Sequence, residues 1–302
     1  MHSSLDADRL DYLLRDSRQA GVVFGNIDLE YIIKQLCIEE YSYDEAGQKK
    51  KLNIIAIDYH GKHAIEHFIM SRYFHYVQTV MHKTAMAFEA VAKALLYKAI
   101  TELKDCPYKS YLDIAQLVGT NLFYCFCDDT MWKTISDYSI SSDDEFVKIL
   151  WETLSFRNKP IHIHTLSDIV PKIGTTRRTE PVNDSSFFLL KWAMDKKQHQ
   201  IAELAHINPE YIGYVSTSVS LESIPSHLRA EDCDTMPKDE SIRDAIKIVN
   251  RDKTISFLAS DTKSLINKMV DYKSEMIDIF ILDHGDGTAK DRVDEAITKL
   301  LS

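Results

Sequence analysis

The sequence has few glycines, few cysteines and no long uninterrupted apolar run, and each scarcity excludes a class of protein. Only nine glycines occur among 302 residues, and no Gly-rich phosphate loop of the Walker or dinucleotide-binding type is present. The five cysteines form no C-x-x-C pair, which excludes a zinc ribbon and a disulfide scaffold and favours a reducing cytoplasm. The most apolar long stretch, 85–100, is interrupted by Glu89, Lys93 and Lys98, so it predicts an amphipathic core helix and no membrane span.

The composition is that of a globular protein with an acidic balance. Hydrophobic residues make up 45% of the chain, and 36 basic against 46 acidic residues give a formal net charge of −10. This balance argues against broad, sequence-independent binding of nucleic acid, because such binding needs a basic surface. The length suits one large domain or two smaller ones.

The first chemically informative stretch is an acidic helix predicted over residues 3–16. Ser3 or Ser4 can cap it. At about 100° per residue, Asp8, Tyr12 and Asp16 fall on one face, and the leucines of the stretch occupy the other. A merely solvated face is the alternative interpretation of this acidic ridge.

This stretch resembles the last signature segment of the HD-domain nucleotide phosphohydrolases. That group contains bacterial deoxynucleoside triphosphate triphosphohydrolases and the animal SAM-and-HD-domain enzyme. The resemblance implies that Asp8 is a metal ligand, that Arg9 contacts phosphate, and that Tyr12 and Asp16 contact the sugar of a nucleotide. The implied cofactor is a divalent metal: Mn, Mg or Fe.

A second ridge of polar and aromatic side chains is predicted in the helical stretch 63–103. A solvated helix face is again the alternative interpretation. The members of this ridge recur at helical spacing: Arg72, Tyr76, Thr79 and Lys83, with His75 and His82 beside them. Residues 66–72, followed ten residues on by His82, resemble the family's second recurring segment. The resemblance makes Arg72 the substrate-phosphate contact, a role that suits a planar guanidinium. Val80 stands where relatives usually carry a tyrosine against the sugar and base, which puts deoxynucleotide selectivity in doubt.

The family's other metal ligands, a His and a His-Asp pair, have no counterpart here. None of the twelve histidines is followed by aspartate. We therefore expect an incomplete site, active only with an upstream segment or a complementary N-terminal subunit. The alternative is a non-catalytic module that dimerises or binds a nucleotide or protein partner. Both hypotheses predict an oligomer.

The predicted fold is mainly α, with a partial HD-like helical core and a small α+β C-terminal lobe. We expect a helical domain over 1–156 with a β-hairpin near 41–58, a linker over 157–183 and the lobe over 184–302.

Three further motifs compete for chemistry. His63, Glu66 and His67 match the H-x-x-E-H pattern of inverted zinc peptidases, although a third ligand is needed. The pair His162 and His164, with His60, has donors for adventitious metal, but a boundary loop is the preferred interpretation. The loop 283–288 has oxygen ligands, yet a turn followed by a helix cap explains it equally well.

Overall fold

The structure is a computed structural model. The described residues are 4–45, 48–103, 106, 108–171, 197–220, 245–270, 272–283 and 285–301. Helical periodicity in the sequence also predicts a helix over 184–205, which is described only from residue 197. The sequence predicts an acidic, Pro-bearing loop over 222–241, which lies outside the described residues.

Helices make up most of the regular structure. They are α1 (Ala7–Ala20), α2 (Leu29–Gln35), α3 (Lys62–His75), α4 (Lys83–Glu102), α5 (Tyr111–Leu117), α6 (Asn121–Tyr124), α7 (Asp128–Ser141), α8 (Glu145–Ser155), α9 (197–205), α10 (Leu265–Met269) and α11 (Ala289–Leu301). A π-helical turn, Tyr76–Val80, follows α3. The predicted helical stretch 63–103 is thus two helices separated by this turn.

Among the described residues, seven strands form two small sheets. The strands are β1 (Leu36–Glu45), β2 (Gln48–Asp58), β3 (Ile161–Pro171), β4 (Ile212–Ser220), β5 (Lys247–Val249), β6 (Ile255–Phe257) and β7 (Tyr272–Ile281). The first sheet has the order β1-β2-β5-β6 and the second the order β3-β7-β4. The prediction of a helix-rich chain with added β structure is confirmed, and the fold is a mixture of α and β.

The antiparallel strands β1 and β2 confirm the β-hairpin predicted near 41–58, which begins earlier, at Leu36. Its antiparallel register runs from Leu36 opposite Ile57 to Glu45 opposite Gln48. β2 then pairs in parallel with β5, with Ile57 opposite Ile248. This pairing joins the N-terminal hairpin to a strand from the predicted C-terminal lobe.

The chain forms two compact units, each assembled from three segments. The first draws on residues within 1–82, 168–183 and 217–275, and the second on residues within 83–167, 184–216 and 276–302. The domain boundaries proposed from sequence remain a prediction, although residues 161–171 of the proposed linker form β3.

The core of the first unit lies under α1 and α3. Leu13, Ile32, Ile65, Phe68 and Leu258 are fully or almost fully buried in one apolar cluster there. Burial of such side chains contributes about 1.5–3 kcal/mol each before entropy costs. A packed core therefore holds α1 and α3 together. It fixes the backbone positions from which the polar side chains on their other faces extend.

The second unit has two apolar clusters. One is built from α9, α11, β4 and β7, and the other mainly from α4, α7 and α8. Among the described residues, no helix is long and apolar enough to cross a membrane.

Candidate functional site

Helix α1 carries four of the five predicted site residues. Its N-cap is Asp6, whose side chain accepts a hydrogen bond from the backbone N–H of Arg9 at 2.8 Å. The prediction that Ser3 or Ser4 caps the helix is therefore wrong, because the carboxylate of Asp6 takes that position. Leu10 and Leu13 are buried, as the predicted amphipathic pattern requires.

The last turn of α3 carries the fifth residue, Arg72, to α1. The two helices share the apolar cluster of the first unit, in which Leu10 and Leu13 pack with Ile65, Phe68 and Ile69. Arg72 follows this buried stretch by one turn. Packing in the core thus sets which polar side chains of α1 and α3 meet.

Tyr12 and Arg72 are brought together by this packing. Tyr12 is half-buried, and burial raises the pKa of its phenol, although the neighbouring Arg72 guanidinium partly offsets the rise. Arg72 also lies over the ring of Tyr76, with Cζ 5.4 Å from the ring centroid. Its Nε is buried without a hydrogen-bond partner among the described residues.

His75 lies next to this pair and is enclosed by rings. It is 4% exposed, and its ring centroid lies 5.4 Å from Tyr12, 5.9 Å from Phe24 and 6.1 Å from Tyr76. Nε2 lies 3.5 Å from Oδ2 of Asp16. Burial lowers the pKa of His75, and the Asp16 carboxylate opposes that shift.

Asp8 and Arg9 occupy the first turn of α1. Arg9 is half-buried, with Nε 3.7 Å from Oδ2 of Asp6, and its charge acts on Tyr12. Asp8 is exposed, and within the described part of the chain nothing pairs with its side chain. The structure therefore assembles Tyr12, Asp16 and Arg72, places Arg9 close to Tyr12, and leaves Asp8 open at the end of the row. The roles of all five remain predictions.

Buried polar atoms without partners are concentrated at the end of α3. Six such side-chain atoms occur among the described residues, and four of them belong to Ser71, Arg72 and His75. Buried polar groups are nearly always hydrogen-bonded, and an unpaired one costs about 1–3 kcal/mol. The end of α3 is therefore the part of the described chain where the most buried polar atoms still need a partner.

Among known proteins, no family model matches the chain. An uncharacterized protein, YwfO, from Bacillus subtilis is 34% identical over 97 residues, which is 32% of this chain and 20% of that protein. An uncharacterized protein, MJ1154, from Methanocaldococcus jannaschii is 35% identical over 98 residues, with the same shares covered. The chain thus spans about a fifth of the length of the curated relatives it matches.

Two solved structures match nearly the whole chain. A phosphohydrolase from Bacteroides thetaiotaomicron is 21% identical with a TM-score of 0.50, covering 93% of this chain and 62% of that one. The chain shares the fold of the matched part of that protein. A hypothetical protein from Aquifex aeolicus is 16% identical with a TM-score of 0.55, covering 97% of this chain and 57% of that one. At these identities the likeness concerns the fold alone.

The H-x-x-E-H motif on α3 has a structural role. Glu66 accepts hydrogen bonds from the hydroxyl of Ser264 at 2.5 Å and the backbone N–H of Leu265 at 3.2 Å. His63 lies 2.8 Å from the other carboxylate oxygen and is 87% exposed in its side chain. Throughout the described residues, no group of three His, Cys, Asp or Glu side chains is placed to hold a metal. Glu66 thus joins α3 to the start of α10, and no peptidase site is formed there.

The other two motifs also have structural roles. His162 and His164 lie in strand β3, so the prediction that they belong to a boundary loop is wrong. His162 Nε2 lies 3.1 Å from the buried carboxylate of Asp278 on β7. In the loop 283–288, Asp286 accepts hydrogen bonds from the backbone N–H of Thr288 and from Arg292, which lower its pKa. The interpretation as a turn followed by a helix cap is confirmed for this loop.

Sequence reasoning gave His75 no role of its own. His75 was predicted only to lie beside the ridge that contains Arg72. The available signal was its spacing of three residues from Arg72, which puts both on adjoining parts of one helix face. Its enclosure by Phe24, Tyr76 and Tyr12 depends on tertiary packing, which periodicity does not reveal.

Proposed function

We propose that the surface formed by α1 and the end of α3 is one wall of an HD-type phosphohydrolase site acting on nucleotides or deoxynucleotides. The observation that carries the proposal is the guanidinium of Arg72, which lies beside Tyr12 and whose Nε is buried without a partner among the described residues. The family resemblance assigns both side chains to substrate. The phosphohydrolase-like fold supports the same function.

In this proposal the positive charges face phosphate and the tyrosine ridge faces the sugar. Arg72 offers several N–H donors in one plane, including the unpaired Nε, and this geometry suits phosphate oxygens. Arg9 adds a second positive charge near Tyr12. Tyr12 and Asp16 are half-buried beside them, where a ribose or deoxyribose would follow the phosphates.

A divalent metal is part of the proposal through Asp8, and the described residues do not provide a complete site for it. Asp8 is an exposed carboxylate, and no other group of ligands gathers around it within the described ranges. One carboxylate does not hold and activate a catalytic metal. The remaining ligands are therefore proposed to come from another segment or from a complementary subunit.

The first experiment measures binding of a nucleoside triphosphate to the 302-residue chain by titration calorimetry. Arg72→Ala removes the planar donor group, and we expect at least about tenfold weaker binding because a charge-assisted pair is lost. Arg18→Ala is the matched control, since Arg18 is exposed in the last turn of α1. Equal affinity of wild type and Arg72→Ala would reject Arg72 as the phosphate contact.

The second experiment tests turnover. The chain is combined with the segment that supplies a His and a His-Asp pair, and phosphate release from nucleotides is measured with Mn²⁺ or Mg²⁺. Turnover that is lost in Asp8→Ala supports the proposal. A folded complex that releases no phosphate from any nucleotide rejects the catalytic function.

A non-catalytic module that associates with another chain is the second candidate. Supporting it, apolar side chains are exposed along the short helices α5 and α6, with Tyr111 82% and Tyr124 81% exposed. Exposed apolar surface of this kind favours association with another protein surface. Light scattering on the purified chain tests it, because a mass above 34.7 kDa shows an oligomer and a monomer at all concentrations opposes one.

A further inference from the structure

Ser71, His75 and Asp16 form a row of polar groups that direct hydrogen bonds do not yet join. Ser71 and His75 are four residues apart in α3, so their side chains lie one above the other on the same face. The hydroxyl of Ser71 and both ring nitrogens of His75 are buried without partners in the part of the chain that the structure describes. The carboxylate of Asp16 lies 3.5 Å from Nε2 of His75.

One arrangement of protons satisfies all three groups. A neutral imidazole carries a single N–H, and Asp16 as a carboxylate accepts only. If Nε2 carries the proton, it donates to Asp16, and Nδ1 then accepts from the Ser71 hydroxyl. The distance from Nε2 to Asp16 needs to shorten only to about 2.9 Å, which is a small side-chain movement.

The surroundings of His75 favour this use of its nitrogens. A phenylalanine or a leucine would fill the space between the rings of Tyr12, Phe24 and Tyr76 equally well. An imidazole in such a place loses the hydrogen bonds that water gave it. That loss is recovered only where the ring nitrogens bind other groups.

We propose that Ser71 and His75 are positioning residues that fix the carboxylate of Asp16 toward a sugar hydroxyl of the bound nucleotide. His75 holds one carboxylate oxygen. The other lies 3.8 Å from Nε of the exposed Arg15 and has a further lone pair with which to accept from the ligand. Ser71 acts through His75 by selecting the tautomer with the proton on Nε2. The assignment of the ligand to a nucleotide sugar rests on the proposed function. The Ser71–His75–Asp16 order rests on the four-residue spacing in α3, the unpaired buried atoms and the 3.5 Å separation of His75 from Asp16.

The order is tested first by NMR of the imidazole nitrogens in the ligand-free chain. We expect the His75 proton on Nε2, and we expect its resonance to move in Asp16→Asn and the Nδ1 resonance to move in Ser71→Ala. A proton on Nδ1, or spectra that neither substitution changes, would overturn the proposal. Because this measurement needs no ligand, it decides the order even if the proposed function fails.

The effect on the ligand is tested by comparing a deoxynucleoside triphosphate with inorganic tripolyphosphate, which lacks the sugar. His75→Phe keeps the ring contacts but removes both nitrogens, so it should weaken nucleotide binding about tenfold and leave tripolyphosphate binding unchanged. His75→Gln, whose amide N–H reaches close to the position of Nε2, should restore most of the affinity. Equal loss for both ligands, or no loss for either, contradicts the positioning role.

Failure of the proposed function and failure of the positioning role give different results. If the wild-type chain binds neither ligand, the proposed function fails, and the NMR result alone decides whether His75 holds Asp16. Circular dichroism of His75→Phe shows whether the variant folds. If it does not fold, Ser71→Ala and Asp16→Asn in the two assays take its place, with the same expected preference for loss of the nucleotide over tripolyphosphate.

Discussion

Replacing Glu66 with alanine should destabilise the first unit although Glu66 lies in a motif that resembles a zinc peptidase. Its side chain is 13% exposed and accepts two hydrogen bonds from residues that begin α10, Ser264 and Leu265. The link joins groups 198 residues apart in the chain. Its removal leaves the hydroxyl and the backbone N–H without this acceptor.

The expected loss follows from these two bonds. A hydrogen bond to a charged group contributes roughly 1.5–3 kcal/mol, and the two values do not add fully because the bonds share one carboxylate oxygen. We expect the free energy of unfolding to fall by about 2–3 kcal/mol in Glu66→Ala. Glu66→Gln keeps one acceptor oxygen without the charge and should lose about half of that.

Urea denaturation followed by circular dichroism measures the loss, and hydrogen exchange of the amides in 264–269 locates it. Glu89→Ala is the control, because Glu89 is half-exposed and pairs only with Lys93 on the same helix, so its removal should change stability by less than about 0.5 kcal/mol. The reasoning is refuted if Glu66→Ala matches this control or if exchange at the start of α10 does not accelerate.

Three other predictions follow from local contacts. Gly25→Ala should destabilise the chain by more than about 2 kcal/mol in urea denaturation, because a Cβ there would lie 2.4 Å from a carbonyl oxygen of α1. Burial raises the pKa of the Asp261 carboxyl, but the hydrogen bond from Lys62 and further donors lower it more. The stability that the lowered Asp261 pKa contributes is present above the unfolded pKa of about 3.9 and is lost as the pH falls. Lys62→Met removes a cause of the lowered pKa. The free energy of unfolding of Lys62→Met should therefore fall less than that of wild type between about pH 5 and pH 3. Hydrogen bonds from Thr130 lower the pKa of the Cys127 thiol. Among the four described cysteines, mass spectrometry should therefore show Cys127 alkylated fastest by iodoacetamide at pH 7.

Local signals in the sequence predicted most of the elements that the structure describes. The hairpin near 41–58 follows from strand periodicity and turn residues, and α3 and α4 follow from the helical spacing in 63–103. The start of α1 was misplaced by a few residues, because serine and aspartate are both good caps and only the fold shows that Asp6 is used.

Contacts between distant segments were beyond the reach of the sequence. The parallel pairing of β2 with β5 and the link from Glu66 to Ser264 depend on which distant segment packs beside α3. In the candidate site too, local features were predictable from the sequence and tertiary contacts were not. Helical spacing placed Asp8, Tyr12 and Asp16 on one face, whereas the enclosure of His75 needs Phe24 from the connection after α1.

The pairing of β2 with β5 also bears on how this chain is made in the cell. Ribosomes add roughly 5–20 residues each second. About 10–40 s therefore pass between the synthesis of α3 and that of the C-terminal residues that pack against it and against the β1–β2 hairpin. During that interval, the apolar faces of α1, α3 and the hairpin have no cover from Ile248, Leu258 and Ile266. A nascent chain stalled before residue 245 should therefore be a preferred client of ribosome-associated chaperones.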